Sequence, residues 1–201
     1  MIRLLLAEDQ SMVREALAAL LGLEADMEVV AQAARGDEVL AAARAHAVDV
    51  ALLDIEMPGL TGIEAAALLR RELPAVKIVI LTTFGRPGYL RSAMESGADA
   101  FLVKDAPAAQ LATAVHKVLA GERVIDPTLA AAALAEGANP LTDRERDVLR
   151  AAQEGATNAE LAAALRLSQG TVRNYLSMAI QKLAARNRAE AVSIAREKGW
   201  L

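Results

Sequence analysis

Five polar residues, far apart in the chain, have the side chains that phosphoryl-transfer chemistry requires. They are the acids Glu8, Asp9 and Asp54, the hydroxyl residue Thr82 and the basic residue Lys104. Clustered carboxylates raise one another's pKa unless a cation or an ammonium group compensates. An oxygen-rich, cysteine-free cluster suits Mg²⁺, which binds few carboxylates and keeps its waters. With Mg²⁺ held by Asp9 and Asp54, the other oxygen of Asp54 could attack a phosphoryl group, whose charge the metal, Lys104 and Thr82 would stabilise.

Apolar runs precede these residues and predict the strands that position them. In the stretch DVALLDIEMPGLTG, an apolar run leads directly to Asp54, and the proline and glycine residues that follow end the strand. Five such runs alternate with segments of helical periodicity, which predicts an α/β fold with a doubly wound, five-stranded parallel sheet. The carboxyl ends of parallel strands share one edge, so we expect the five polar residues to converge there. The predicted strands span residues 2–7, 28–34, 48–53, 77–81 and 100–103, and the predicted helices span residues 10–23, 36–46, 62–73, 87–96 and 107–119.

Each of the five residues also has a simpler structural explanation when taken alone. Asp54 can be a turn residue, Glu8 or Asp9 a helix N-cap, Thr82 a turn hydroxyl and Lys104 a solvated surface charge. Their joint occurrence at predicted strand ends favours the phosphoryl site over five independent structural roles.

Composition predicts a soluble, cytoplasmic protein of one or two domains. The 201 residues include no cysteine, which excludes disulfides and thiolate metal sites. The sequence has no run of about 18 apolar residues and no N-terminal signal pattern. Residues 1–139 carry 12 basic and 19 acidic residues, and the remainder carries 10 and 7. An acidic part that suits a cation therefore precedes a basic part that can approach a polyanion.

The segment after the last predicted α/β unit contains a linker and a predicted four-helix domain. Residues 121–139 predict a short linker helix from about Thr128 to Glu136, stopped by Gly137. Beyond Pro140, Thr142 and Glu145 form a capping box that starts the first of four helices. The other three are predicted at residues 160–165, capped by Thr157 or Asn158, at 169 to about 185, capped by Ser168, and at 188–198.

The second and third of these helices have the layout of a helix-turn-helix, whose second helix enters the major groove of DNA. On that helix Arg173 can pair with guanine and Asn174 with adenine. Lys182 lies farther along, with Arg186 and Arg188, and is expected to meet phosphates. The full set of candidate DNA contacts is Thr171, Arg173, Asn174, Ser177 and Lys182. The alternative is a four-helix protein-interaction module, because polar helix faces are usually solvated.

The set Glu8, Asp9, Asp54, Thr82 and Lys104 resembles the receiver domain of bacterial two-component response regulators, over residues 1 to about 120. The resemblance implies that Asp54 is the phosphoacceptor, that Glu8 and Asp9 form the acid pocket and that Mg²⁺ is the cofactor. It further assigns three secondary roles: the backbone carbonyl of Glu56 as a metal ligand, and Thr82 and Phe101 as switch residues. One departure is that Asp105 and Ala106 stand between Lys104 and Pro107, where many receivers place proline directly after the lysine.

The C-terminal part resembles the LuxR-type DNA-binding domain through the segments LTDRE, GTVRNY and the pair Lys182-Leu183. The whole chain is therefore similar to the NarL/FixJ family. The phrases AEDQ, DIEMPG, NPLTDRE and EKGW are closer still to a subfamily that regulates membrane-lipid desaturation. Ser177 departs from a basic residue found there in some relatives. The implied layout is a receiver domain at 1–120, a linker at 121–139 and a helix-turn-helix domain at 140–201.

The resemblance implies a transcription regulator, not a turnover enzyme. A sensor histidine kinase would phosphorylate Asp54, and the protein would dimerise through the helix-four to helix-five face or helix one and bind promoter DNA. Two alternatives stay open. Glu56, two residues after Asp54, could be the acid of an aspartyl-phosphate phosphatase, or the chain could be a phosphorylated interaction module that does not bind DNA.

Overall fold

The computed structural model describes residues 1–83, 86–104, 108–136 and 139–201. The chain divides into two compact units, one formed by Met1–Gly85 with Leu90–Ala131 and the other by Arg86–Tyr89 with Ala132–Leu201. Three predictions fall outside the described residues: the helix start at Pro107, the helix stop at Gly137 and the insertion of Asp105 and Ala106. None of the helices in the described part of the chain is long and apolar enough to cross a bilayer.

A parallel sheet with helices between its strands forms the first unit. Its strands lie in the order β2-β1-β3-β4-β5-β6, and every strand pair is parallel. The predicted α/β class with a doubly wound sheet is therefore confirmed. In chain order, the elements as far as Ile125 are β1 (Ile2–Ala7), α1 (Ser11–Leu21), β2 (Met27–Ala33), α2 (Val39–His46), β3 (Val50–Asp54), α3 (Gly62–Glu72), β4 (Lys77–Thr82), α4 (Pro87–Glu95), β5 (Ala100–Val103), α5 (Ala108–Leu119) and β6 (Val124–Ile125).

The sheet has six strands, one more than predicted. The additional strand, β6, contains only two residues and pairs with β5 through Ala100 and Val124 and through Phe101 and Ile125. Two residues cannot show the alternating pattern that marks a strand in a sequence, so β6 can be identified only in the structure, by its pairing with β5.

The central strands are apolar along their length because helices cover both faces of the sheet. All five residues of β3 are buried, and so are Leu4 to Ala7 of β1. This explains why the predicted strands appear in the sequence as continuous apolar runs instead of alternating ones. It also places Asp54 inside β3, where it pairs with Leu81 of β4, one residue beyond the predicted strand end.

The remaining helices are α6 (Pro127–Glu136), α7 (Asp143–Ala151), α8 (Asn158–Leu165), α9 (Gln169–Lys182) and α10 (Arg188–Glu197). The Thr142–Glu145 capping box of α7 is confirmed, and Thr157, not Asn158, caps α8. Ser168 caps α9 as predicted. Helix α9 ends at Lys182, shorter than expected, because Ala184 has a left-handed backbone conformation with φ of 50°.

Helices α7 to α10 share one apolar core. It is built from every helix of the set, and the chain's single tryptophan belongs to it. The fully buried members include Val148, Leu149, Val172, Ala179 and Ala191. Buried positions three or four residues apart on α7, α9 and α10 account for the periodicity by which these helices were predicted.

Candidate phosphoacceptor site and helix-turn-helix

The ends of four neighbouring strands bring together the site residues predicted from the sequence. Glu8 and Asp9 follow β1, Asp54 is the last residue of β3, Thr82 is the last residue of β4, and Lys104 follows β5. Because β1, β3, β4 and β5 are adjacent in the sheet, these residues share one edge.

Lys104 lies between two buried carboxylates. Its Nζ is 2.5 Å from Glu8 Oε2 and 2.9 Å from Asp54 Oδ1. The side chain of Glu8 is 1% exposed and that of Asp54 is 7% exposed, so water contributes little to stabilising either charge. Lys104 is itself fixed by its backbone N–H, which donates to the carbonyl of Thr82 at 2.8 Å. The ammonium therefore supplies the compensating charge that the acid cluster requires.

Burial, helped by the nearby charge of Glu8, raises the pKa of Asp54 to about 6, although the hydrogen bond and charge of Lys104 oppose the rise. Burial alone would lower the pKa of Lys104, but its bonds to Glu8 and Asp54 prevail and raise that pKa above the ordinary value. The lysine is thus permanently charged near neutral pH, while Asp54 loses its proton within about one pH unit of neutrality.

An open cleft lies above these strand ends. It is lined by Asp9, Gln10, Asp54, Glu56, Thr82 and Thr83. Glu8, Asp9 and Asp54 each offer one carboxylate oxygen, and the three oxygens lie within 4.8 Å of one another. All three are hard oxygen donors, and Asp9 is exposed to water, which is the chemistry that a hard divalent cation requires.

Glu8 differs from the other two acids in its surroundings. Its Oε2 binds Lys104, and its Oε1 accepts from the backbone N–H of Gln10 at 3.2 Å. Glu8 does not line the cleft, whereas Asp9 is exposed there. The structure thus places Glu8 as the counter-ion of Lys104 and leaves Asp9 and Asp54 as the acids that face the cleft.

The loop after Asp54 is fixed by the start of α3. Thr61 and Glu64 form a reciprocal capping box there. Gly62 donates its N–H to the carbonyl of Ile55 at 2.9 Å, and a Cβ at Gly62 would overlap the carbonyl oxygen of Asp54. Only glycine permits this approach, so Gly62 lets α3 begin directly against the strand that carries the candidate phosphoacceptor.

Sequence reasoning missed Arg14 on α1. Its Nη1 donates to the carbonyl oxygen of Glu8 at 2.5 Å and so holds the peptide group that joins Glu8 to Asp9. An arginine in the first turns of a helix directs its side chain back toward the helix N-terminus, and that direction was the available signal. Gln10 and Thr83, which line the cleft, were also not singled out.

The candidate switch residues are both buried at this edge. Thr82 is 4% exposed and Phe101 is completely buried. Phe101 lies on β5 opposite Ile80 of β4, two residues before Thr82. Register alone therefore brings the aromatic ring and the hydroxyl onto neighbouring strands.

In the second unit, helices α8 and α9 form the predicted helix-turn-helix pair. Arg173, Asn174 and Ser177 are exposed on α9. Thr171 is partly buried, and its hydroxyl lies 2.8 Å from the Ser168 hydroxyl at the N-cap.

The basic residues farther along have partners within the unit. Lys182 Nζ binds Glu145 Oε2 at 2.7 Å, and Arg188 donates to the carbonyl of Ala156 at 2.7 Å. Arg186 pairs with Glu190. Although burial opposes ionisation of Glu145, hydrogen bonds from Lys182 and Thr142 hold its pKa below the ordinary value. Of the predicted DNA contacts, Arg173, Asn174 and Ser177 thus lie on a common exposed face, whereas Lys182 forms an ion pair with the buried Glu145.

Both units match known protein families. Residues 4–116 match the response regulator receiver domain, and residues 139–195 match the bacterial regulatory proteins of the luxR family. The chain belongs to the LuxR-type two-component response regulators. Members of this family are DNA-binding transcriptional regulators, as predicted.

Individual relatives agree over the full length of this response regulator. The transcriptional regulatory protein DesR of Bacillus subtilis is 46% identical over 200 residues, covering 100% of this chain and 99% of DesR. The uncharacterized transcriptional regulatory protein YvfU of the same organism is 48% identical over 201 residues, covering 100% of both chains. The crystal structure of the response regulator ChrA, from a heme-sensing two-component system, is 32% identical, with a TM-score of 0.59 and coverage of 100% of this chain and 98% of ChrA.

Proposed function

We propose that this response regulator accepts a phosphoryl group on Asp54 from a sensor histidine kinase and then binds promoter DNA as a dimer. The observation that carries the first step is the position of the buried Asp54 carboxylate, with one oxygen 2.9 Å from Lys104, at the floor of an acid-lined cleft. A buried carboxylate whose charge is compensated by one fixed ammonium is a suitable nucleophile for an incoming phosphoryl group.

The proposed reaction assigns a task to each residue. Lys104 holds Oδ1 of Asp54 and leaves the second oxygen to form the bond to phosphorus while the bond to the kinase histidine breaks. The Lys104 ammonium and the Thr82 hydroxyl then stabilise charge on the phosphoryl oxygens. Mg²⁺, held by Asp9, Asp54 and the backbone carbonyl of Glu56, would add a divalent positive charge at the same place. Glu8 keeps Lys104 charged and correctly oriented.

Phosphorylation would then act through the two buried switch residues. Thr82 moves toward the phosphoryl group, and Phe101 turns with it, so the faces at helices α4 and α5 or at α1 change their self-association. A dimer brings two copies of α9 to paired half-sites, which converts two weak contacts into useful affinity. The coupling is a population shift, because phosphorylation favours the state with the better contacts.

The targets that we propose are membrane-lipid genes, from the sequence resemblance described above. Genome-wide footprinting of the phosphorylated protein tests this assignment independently of the phosphoryl chemistry. If the protein is enriched only at unrelated promoters, the assignment of membrane-lipid genes as targets is wrong, whereas the proposed DNA-binding function still holds.

A Phos-tag gel with acetyl phosphate and Mg²⁺ tests the phosphoryl step. We expect a shifted band for the wild-type protein and none for Asp54→Ala. Labelling that survives Asp54→Ala would overturn the assignment. The same reaction, followed for released phosphate, tests the phosphatase alternative, for which the position of Glu56 on the cleft is the supporting observation. Sustained multiple turnover of a small phosphoester would favour that alternative.

A further inference from the structure

Met178 is an exposed apolar residue on the face of α9 that carries the candidate base contacts. It is 48% exposed, although α9 buries its apolar side chains Val172, Leu176 and Ala179 in the core of the unit. Single exposed apolar residues are common on protein surfaces, so exposure alone has no functional meaning. The functional argument depends instead on the residues that lie next to Met178 on the helix.

The exposed face in the middle of α9 includes Arg173, Asn174, Ser177, Met178 and Gln181. Each residue advances the helix by about 100°, so Asn174 lies near the centre of this face, opposite the buried side chains. Met178 follows Asn174 by one turn and lies closer to the centre of the face than Arg173 does. Asn174 and Met178 lie only about 40° apart around the helix axis, so an approach of α9 that centres Asn174 on the groove also brings Met178 to it.

The major groove has one apolar feature, the C5-methyl group of thymine, and apolar side chains in the groove contact it. Asn174 pairs best with adenine, and Met178 lies about 6 Å farther along the helix axis, roughly two base-pair steps away. A flexible, unbranched side chain such as methionine can adjust to the methyl group at that distance.

We infer that Met178 reads a thymine C5-methyl group in the major groove and so contributes to the sequence specificity of α9. This inference rests on the proposed DNA-binding function and adds an apolar contact to the polar contacts of Arg173 and Asn174. It assigns to Met178 a preference for thymine over cytosine, since cytosine presents no methyl group at that edge.

Replacing thymine by deoxyuridine tests the inference, because the exchange removes only the methyl group and preserves base pairing. A preferred duplex is first selected from a random library with the phosphorylated, full-length wild-type protein. Each thymine of that duplex is then replaced in turn by deoxyuridine, and affinity is measured at fixed salt. At one thymine per half-site we expect a loss of about fourfold, the effect of one buried methyl group.

The variant proteins identify the side chain responsible. Met178→Ala should bind the thymine and deoxyuridine duplexes equally well, and Met178→Gln should behave in the same way. Met178→Leu, which keeps apolar bulk, should retain the discrimination. Leu134→Ala removes an apolar side chain that is 80% exposed, more than Met178, from α6, outside the helix-turn-helix, and should discriminate as the wild type does.

The outcomes separate this inference from the function on which it rests. If no salt-dependent binding to the selected duplex is found, the proposed DNA-binding function fails. If binding occurs but no deoxyuridine substitution matters, or if Met178→Ala keeps the discrimination, the inference about Met178 is wrong. An equal loss of affinity for both duplexes in Met178→Ala would also overturn it and would instead indicate a protein contact.

Discussion

Lys104 Nζ lies closer to Glu8 Oε2, at 2.5 Å, than to Asp54 Oδ1, at 2.9 Å. The lysine is thus anchored on the acid that does not line the cleft and extends from it to the acid that does. An ammonium held in this way needs little rearrangement when a phosphoryl group arrives at Asp54, because its position is already determined by Glu8.

Lys104→Ala should slow phosphorylation by acetyl phosphate by about a hundredfold, the usual effect of removing one charged stabilising group from a buried site. The substitution also leaves Glu8 and Asp54 without their shared counter-ion, which raises the pKa of Asp54 further. Initial rates on Phos-tag gels at saturating Mg²⁺ measure the effect. Lys117→Ala, on the exposed side of α5, is the matched control and should react at the wild-type rate. Equal rates for both variants would contradict the role of Lys104.

The buried carboxylate of Asp54 should make the receiver less stable as the pH rises. Its folded-state pKa of about 6 lies above the ordinary value of 3.8, so the folded state holds this proton more tightly than the unfolded state. The stabilisation is therefore fully present below pH 3.8 and is lost as the pH rises through about 6.

Asp54→Asn removes this titration. Above pH 7 we expect the variant to exceed the wild type in stability by about 1–3 kcal/mol, with the difference vanishing near pH 4. Hydrogen exchange at the amides of β1 and β3 reports on this unit alone. A difference that does not change with pH would show that Asp54 is not the titrating group.

Arg14→Ala should raise the Mg²⁺ concentration needed for half-maximal phosphorylation, while the maximal rate stays close to that of the wild type. The variant loses the donor to the Glu8 carbonyl, and the peptide that positions Asp9 becomes less fixed. We expect a shift of about tenfold, as for other outer residues that orient metal ligands. Arg14→Lys should restore part of it.

The control for Arg14 is Arg44→Ala. Arg44 is exposed on α2 and pairs with Glu72, away from the acids of the cleft. The Mg²⁺ requirement of this variant should match that of the wild type. If both arginine variants change the requirement equally, the effect is a general change in surface charge and not the contact with Glu8.

Lys182→Ala should destabilise the helix-turn-helix unit, because it leaves the buried Glu145 without its cation. We expect a loss of about 1–2 kcal/mol, at the lower end for buried pairs because the lysine side chain is partly exposed. Trp200 lies in the core of this unit and is the chain's single tryptophan, so its fluorescence follows the unfolding transition.

DNA binding distinguishes the two roles of Lys182. A phosphate contact would lower the slope of log affinity against log salt by about one when the lysine is removed. A purely structural role would leave the slope unchanged under conditions where the variant is folded. The slope of log affinity against log salt is also measured for Arg173→Ala as a comparison, since Arg173 is exposed on α9.

Most of the fold and of the strand-end site could be predicted from local patterns in the sequence. The residues that end β1, β3, β4 and β5 follow continuous apolar runs, and the caps at Thr142, Thr157 and Ser168 follow from side chains within three residues of each other. Each of these features depends on chemistry between near neighbours in the chain, which a sequence displays directly.

Contacts between distant residues could not be predicted in this way. The pairing of Lys182 with Glu145 joins residues 37 positions apart in the chain, and the bond of Lys104 to Glu8 joins residues 96 positions apart. The sequence indicated that Lys104 and Glu8 are neighbours, but not that the lysine would prefer Glu8 and so remove it from the cleft. For Lys182, only the packing of α9 on α7 reveals the acid.

Strand β6 determines where an isolated receiver fragment can be cut. A fragment ending at residue 120 would lack Val124 and Ile125, so β5 would present an unpaired backbone edge at Ala100 and Phe101. Exposed edges of this kind pair with other chains and promote aggregation. The two-residue strand covers the first half of β5, at Ala100 and Phe101, but is too short to recruit another strand. The first residues of the linker thus protect the edge of the sheet, and a fragment that is to stay monomeric must retain them.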